Sequence, residues 1–367
     1  MSTQTITNPQ MKGGLGESFN TLGFSGTNLK DGASTDEVKF LMGKGSYLGD
    51  LDALEGMAKR KLLTKTMAMM LIEIAKEEHD WKWHSRFELT LKCQDEKIEA
   101  DGRSYTDFYC KERCCLICLA NRKAEKVNLY LPTVEGMPDP HFLTITAQSV
   151  KKEELRKRVE ETLEAIRTII ARHKKRAERK TEEKIYGLWS LESNFNPVAL
   201  TYNPHIHMIL PSLKAAQAFR RDWMEYWQLK GVKISRKGQK YRAVKKDVKK
   251  DLIEIVKYGS KIFTEPDIAE RMQYNLPKKP SFIHVRALYN ILVAMDGYDL
   301  FNTFGFELKN RKKPCKYTKK ATKYTDYMYD LADADWVNEE KGLKLTKYKI
   351  PNDLQALLDS RVDSTLE

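Results

Sequence analysis

The chain has 367 residues, with 64 Lys and Arg against 51 Asp and Glu, a formal net charge of +13. Hydrophobic residues at 41% and charged residues at 31% exclude wholesale disorder and a collagen-like chain, and no run reaches the ~18 apolar residues of a membrane span. At ~100–200 residues per domain the length predicts two domains, and the excess of positive charge favours a polyanionic partner.

Residues 1–35 are rich in Gly, Ser, Thr and Asn without periodicity and read as a flexible arm. Met1 to Gly14 has no apolar core, so no signal peptide is expected and the location read from the sequence is cytoplasmic. Residues 36–85 read as a helical N-terminal region. Helical patterning runs from Lys39 to Glu78, with Met67, Met70, Leu71 and Ile74 on one stripe. Phe87 to Cys93, with Leu89 and Leu91 alternating, reads as a strand.

Residues 86–130 read as a zinc-binding segment. Of six cysteines, five fall between Cys93 and Cys118, and in a reducing compartment such clustering points to metal rather than disulfides. The compact part is Cys110-Lys-Glu-Arg-Cys114-Cys115-Leu-Ile-Cys118. Cys115 and Cys118 form a C-x-x-C knuckle that places two thiolates on one ion. Cys110 can supply a third and Cys93 a fourth, a soft tetrahedral set that suits Zn2+. Cys114 is surplus, or replaces Cys115 or Cys110.

Residues 131–270 are the most legible. His141 to Thr146 alternates like a strand, and Ser149 is placed to cap a long helix carrying Leu155, Val159, Leu163, Ile166 and Ile170. The other face of that helix is basic through Lys174, Lys175, Arg176, Arg179 and Lys180. Strands are expected over Ile185 to Glu192 and about His205 to Leu210. Ser212 caps a helix with Phe219, Trp223 and Trp227 that Gly231 ends. Val232 to Ser235 and Tyr241 to Val244 read as short strands, and a last helix runs from about Val248 to Lys261. The order predicts an α+β fold with a split βαβ antiparallel sheet, helices on one face, and not a doubly wound parallel sheet. Residues 271–367 read as an appended C-terminal region. Its basic run, Lys309 to Lys323, offers Lys312, Lys313, Lys319 and Lys320 to phosphates or simply to solvent.

Two patterns carry chemistry. In Asn203-Pro-His205-Ile-His207-Met-Ile-Leu210 the alternation of a strand projects His205 and His207 to one face. The preceding strand would pair with this one and bring Glu192 beside them. Two imidazoles and a carboxylate leave open positions on a divalent cation, Mg2+ or Mn2+ among the candidates. In the helix Leu252 to Lys261, Val248, Leu252, Ile255 and Val256 share the buried side. Glu254, Tyr258 and Lys261 cluster opposite at i, i+4 and i+7. A phenol with pKa ~10 becomes a usable nucleophile towards a phosphate beside a cation and a lysine.

Taken in order, Phe142-Leu-Thr-Ile-Thr146, Asn203-Pro-His205-Ile-His207 and Glu254-Ile-Val-Lys-Tyr258-Gly-Ser-Lys261 resemble the three motifs of rolling-circle plasmid replication initiators in the HUH endonuclease superfamily. The cysteine segment is similar to one seen in many members, and the resemblance covers roughly residues 88–270. It implies a ferredoxin-like HUH core that nicks one strand of a plasmid origin. Tyr258 would become joined to the 5′ phosphate, His205 and His207 would hold the cation, and Glu254 would act as base at hydrolytic termination. It implies as partners plasmid origin DNA, single-stranded DNA and a host helicase and DNA polymerase, with no membrane. Asn203 stands where many relatives have His. An HUH transposase shares the chemistry. A non-catalytic zinc-dependent DNA-binding repressor accounts for the cysteines and the charge but leaves the histidines, Glu254 and Tyr258 without a purpose.

Overall fold

A computed structural model describes residues 39–106, 108–244, 247–256, 283–306, 318–352 and 354–355, all inside the unit Val38–Glu367. Among these, the chain opens with strand β1 (Lys39–Tyr47) and helices α1 (Leu51–Glu77) and α2 (Trp81–Leu91). The helix expected from Lys39 therefore begins only after a strand. Gly45 explains part of this: its φ is +67°, and a Cβ there would lie 2.7 Å from the Tyr105 ring. Asp50 then caps α1 by accepting from the Ala53 amide.

The strand expected over Phe87 to Cys93 is instead the second half of α2. Asp80 caps that helix through the Trp83 amide. Trp83 and Phe87, four apart, bury together against Met70, Leu71 and Ile74 of α1, while Leu89 is 45% exposed. The helical stripe wins over the two-residue alternation because it is the one that finds a core.

Strands β2 (Glu96–Ala100) and β3 (Arg103–Thr106) lead to α3 (Leu116–Glu135). Then come β4 (His141–Thr146), α4 (Leu155–Glu178), β5 (Gly187–Asn196), β6 (Thr201–Leu210), α5 (Leu213–Leu229), β7 (Lys240–Ala243) and α6 (Val248–Val256). This is the strand–helix order expected from the sequence. Ser212 caps α5 through the Ala215 amide, and Gly231 follows it at φ +73°. Ser149 does not cap α4, which is entered through a single 3-10 turn at Lys152–Glu154. Residues 232–235 form no strand.

The remaining elements are α7 (Ile283–Ala294), β8 (Phe301–Phe304), β9 (Thr318–Ala321), β10 (Thr325–Asp330), β11 (Asp335–Asn338) and β12 (Leu343–Lys344). They are not an appendage. One sheet has the order β7-β4-β6-β5-β8 and the other β12-β11-β10-β2-β3-β1-β9, so residues after 282 supply strands to both. All pairings are antiparallel. The appended region expected over 271–367 is thus corrected: Tyr327, Tyr329 and Trp336 complete a core with Leu54, Met57 and Ala58 of α1.

The five-stranded sheet buries both faces. Leu143, Ile145, Trp189, Leu191, Ile206 and Met208 point to a core shared with α4, α5 and α7, where Phe219, Trp223 and Trp227 are almost fully enclosed. On the opposite face, Phe142, Leu188 and Ile209 pack with Val127, Tyr130 and Val134 of α3 and Leu252, Ile255 and Val256 of α6. Helices therefore cover both faces, where the sequence predicted one. This second face carries the histidines. No described helix is long and apolar enough to cross a membrane.

Candidate metal centres

The first centre grows out of strand register. Glu192 of β5 lies directly across from His205 of β6, and Ser190 across from His207. On the other side of β6, Thr144 of β4 faces His207 and Thr146 faces His205. Directly paired residues share a face, so Glu192, His205 and His207 converge on the side of α3 and α6. All three are buried. His205 Nε2 lies 3.8 Å and His207 Nε2 3.7 Å from Glu192 Oε2, and the three side chains each offer one ligand atom within 4.8 Å of the others.

The far ring nitrogens are held. His205 Nδ1 lies 2.9 Å from the Asn203 carbonyl oxygen, which can only accept, so Nδ1 carries a proton and Nε2 is turned towards Glu192. His207 Nδ1 lies 3.0 Å from Thr144 Oγ1, and its Nε2 is buried with no hydrogen-bond partner. The two rings stand edge to face with centroids 4.8 Å apart. Two nitrogens and a carboxylate oxygen aimed at one point, with the outer nitrogen of each ring tied back, form a set that can hold a divalent cation.

The three residues that the sequence placed together do converge in the structure, and their supports are not legible in the sequence. Thr144 was read only as part of a motif, because its pairing with His207 depends on a register no local pattern prints. Asn203 contributes through its main chain, which any residue type supplies. Its side chain accepts a hydrogen bond from the Thr146 hydroxyl.

Helix α6 is fixed beside this face. Arg242 of β7 forms two hydrogen bonds with the buried Asp251 of α6, and its guanidinium lies 4.7 Å from the centre of the Phe142 ring. The Asp251 carboxylate holds the Arg242 guanidinium above its usual range, against the opposing effect of burial. Phe142 in turn sits 5.3 Å from the His207 ring. Val248, Leu252, Ile255 and Val256 face the core as expected, and Glu254 is half-buried. Tyr258 and Lys261 lie outside the described residues, as do Lys312 and Lys313. Lys319 and Lys320 fall on β9, paired with β1, and Lys320 is exposed.

The second centre is sulfur. Cys93 follows α2 rather than a strand, and Cys115 is the N-cap of α3, its sulfur accepting from the Cys118 amide. The Cys93, Cys110, Cys115 and Cys118 sulfurs are mutual neighbours: Cys115 to Cys93 3.5 Å, Cys93 to Cys118 3.6 Å, Cys110 to Cys118 3.8 Å. A tetrahedron with metal–sulfur bonds of ~2.3 Å has an edge of about 3.8 Å. The amides of Cys110, Lys111 and Glu112 point at Cys93, Cys118 and Cys110 sulfurs over 3.3–3.4 Å, which favours thiolates. The bond from Cys110 draws the Cys115 and Cys118 thiols below the ordinary range. Cys110 itself is pushed far above it by its three neighbours. Four sulfurs this close cannot all ionise without a cation among them, so the set fits a metal ion. Cys114 stands apart. It faces Thr90 Oγ1 at 3.6 Å within the α1–α2 core, and burial pushes its thiol up to about 12.

Comparison of the chain with protein-family models, with curated proteins and with solved structures finds no match.

Proposed function

We propose that the chain is a metal-dependent, single-tyrosine DNA nickase and strand transferase of the HUH type that initiates rolling-circle replication of a plasmid. The observation that supports this reading best is the Glu192–His205–His207 group, on the same sheet face as the helix that leads into Tyr258. A divalent cation bound there, Mg2+ or Mn2+, would polarise a phosphate oxygen and neutralise charge that develops in the transition state. The Tyr258 phenol gives up its proton and its oxygen attacks the scissile phosphorus. The ester bond to the 3′ oxygen breaks, and that oxygen leaves as a hydroxyl. The DNA 5′ phosphate is then esterified to Tyr258. Lys261 stabilises the phenolate, and Glu254 takes a proton from the water that later releases the strand. The exposed 3′ hydroxyl primes synthesis by a host polymerase, a host helicase unwinding the strand ahead. In this reading the cysteine cluster holds a structural Zn2+, because a closed four-thiolate site keeps no open position.

The test is covalent capture on a denaturing gel, with a labelled single-stranded oligonucleotide carrying the origin nick site and Mn2+. The native chain forms a slow-migrating adduct that chelation prevents. Tyr258→Phe forms none, and Glu254→Ala forms it but is slow to release the strand. An adduct of unchanged yield in Tyr258→Phe removes the nickase reading.

A further inference from the structure

The five-stranded sheet ends at β7, whose outer edge pairs with no described strand. From Tyr226 to Lys246 the chain carries eight Lys and Arg and no Asp or Glu. Arg242 is engaged with Asp251, but the side chains of Arg236, Lys237 and Lys240 are exposed and join no acid among the described residues. Register places Lys240 on a particular face. It pairs with Thr144, which pairs with His207, so the three side chains form one row across the sheet on the side of the Glu192–His205–His207 group. Two strand spacings, roughly 10 Å, separate Lys240 from His207.

The loop before β7 is also held in place. The buried Gln239 accepts from the Thr146 amide at 2.9 Å and donates to the Thr146 and Ser235 carbonyls at 3.0 Å each. Ser235 caps the turn Arg236–Gly238 through the Lys237 amide. Thr146 is the partner of His205. Lys240 therefore follows directly on a braced turn, Arg236–Gly238, whose anchor is the partner of His205.

We propose that the β7 edge, with Lys240 at its centre and Arg236 and Lys237 beside it, is the track that binds the sugar–phosphate backbone of a single DNA strand and delivers it to the metal group. Lys240 is a positioning residue. This rests on the nickase reading for the strand's purpose, and the binding itself is measured separately from cleavage. Arg236 and Lys237 contact phosphates and carry affinity without reading sequence.

The test is fluorescence anisotropy of a single-stranded oligonucleotide with Tyr258→Phe protein in EDTA, over a range of salt. Lys240→Glu, in that background, weakens binding about tenfold and lowers the salt slope by ~0.7 for the lost phosphate contact, while Lys240→Arg restores both. The control is Lys175→Glu. It makes the same charge change on α4, which packs on the opposite face, and leaves the affinity within about twofold. With intact Tyr258, Lys240→Glu raises the KM for nicking and leaves kcat near its native value. Equal loss of affinity in Lys240→Glu and Lys175→Glu, or none in either, overturns the track. Loss of binding at Lys240 alone, with no adduct formed by the native chain, keeps the track and rejects the nickase.

Discussion

At the scale of single residues, the metal group depends on atoms that are not ligands. His205 is oriented by a main-chain carbonyl that substitution of Asn203 would leave in place. His207 depends on one hydroxyl, that of Thr144. Thr144→Val keeps the size and the β-branch but removes that hydroxyl, so the His207 ring loses its outer anchor. Support of this kind is worth ~10–100-fold in metal affinity. The expected outcome is a loss of that size in Mn2+ binding by titration calorimetry, with the Zn2+ content of the cysteine cluster unchanged. Unaltered Mn2+ affinity would show that packing against Phe142 alone orients the ring.

At the scale of elements, the links between helices are ionic as well as apolar. Asp296, just past α7, accepts from Lys82 Nζ and Arg86 Nη1 of α2 at 2.7 Å each. Arg86 also forms a two-bond pair with Glu112 in the cysteine segment. Burial raises the Asp296 carboxyl, but the bonds from Lys82 and Arg86 outweigh it and hold the group at about 2. An unfolded Asp titrates near ~3.9. Because the folded value is the lower one, the stabilisation is full above about pH 4 and disappears as the pH falls towards 2. Asp296→Asn should therefore lower the urea midpoint at pH 6 by clearly more than at pH 2.5, where the contribution is already fading. An equal deficit at both values would mean that the charge of Asp296 is not what joins the helices. These links also mark where sequence reading ran out. The strands and helices between His141 and Leu229 were legible because each carries its own period, and α5 also its Ser212 cap. The α2 segment was not, since two alternating leucines imitate a strand until Trp83 and Phe87 find their partners on α1. Nor was the placement of α7, whose buried Leu288 and Ile291 serve two different cores.

At the scale of the whole molecule, the cysteines lie where the chain passes from β3 of one sheet to α3, which covers the other. Their local core consists of the cysteines themselves with Ile117 and Tyr109, so a metal ion held by these sulfurs would take the place that side-chain packing has elsewhere. Lys61 of α1, fully buried, reaches the same point: it donates to the Leu91 and Cys93 carbonyls and pairs with Asp95 at 2.6 Å. From this junction α3 departs to cover the histidine face beside α6. The pairing of β10 with β2 closes the other sheet, a contact between segments more than 200 residues apart that no local pattern announces. Loss of the metal should therefore be felt along α3 and, through Val127, Tyr130 and Val134, in α6. Cys115→Ser takes one sulfur out of the set, while its hydroxyl can still accept from the Cys118 amide and cap α3. The expected result is protein whose zinc content falls from one equivalent towards none, with a lower Tm and faster amide exchange in α3 and α6. Cys114→Ser, one residue away and outside the sulfur set, should keep one equivalent of zinc and native exchange in both helices. Zinc retained in Cys115→Ser, or lost in Cys114→Ser, would show that a different set of sulfurs binds the ion.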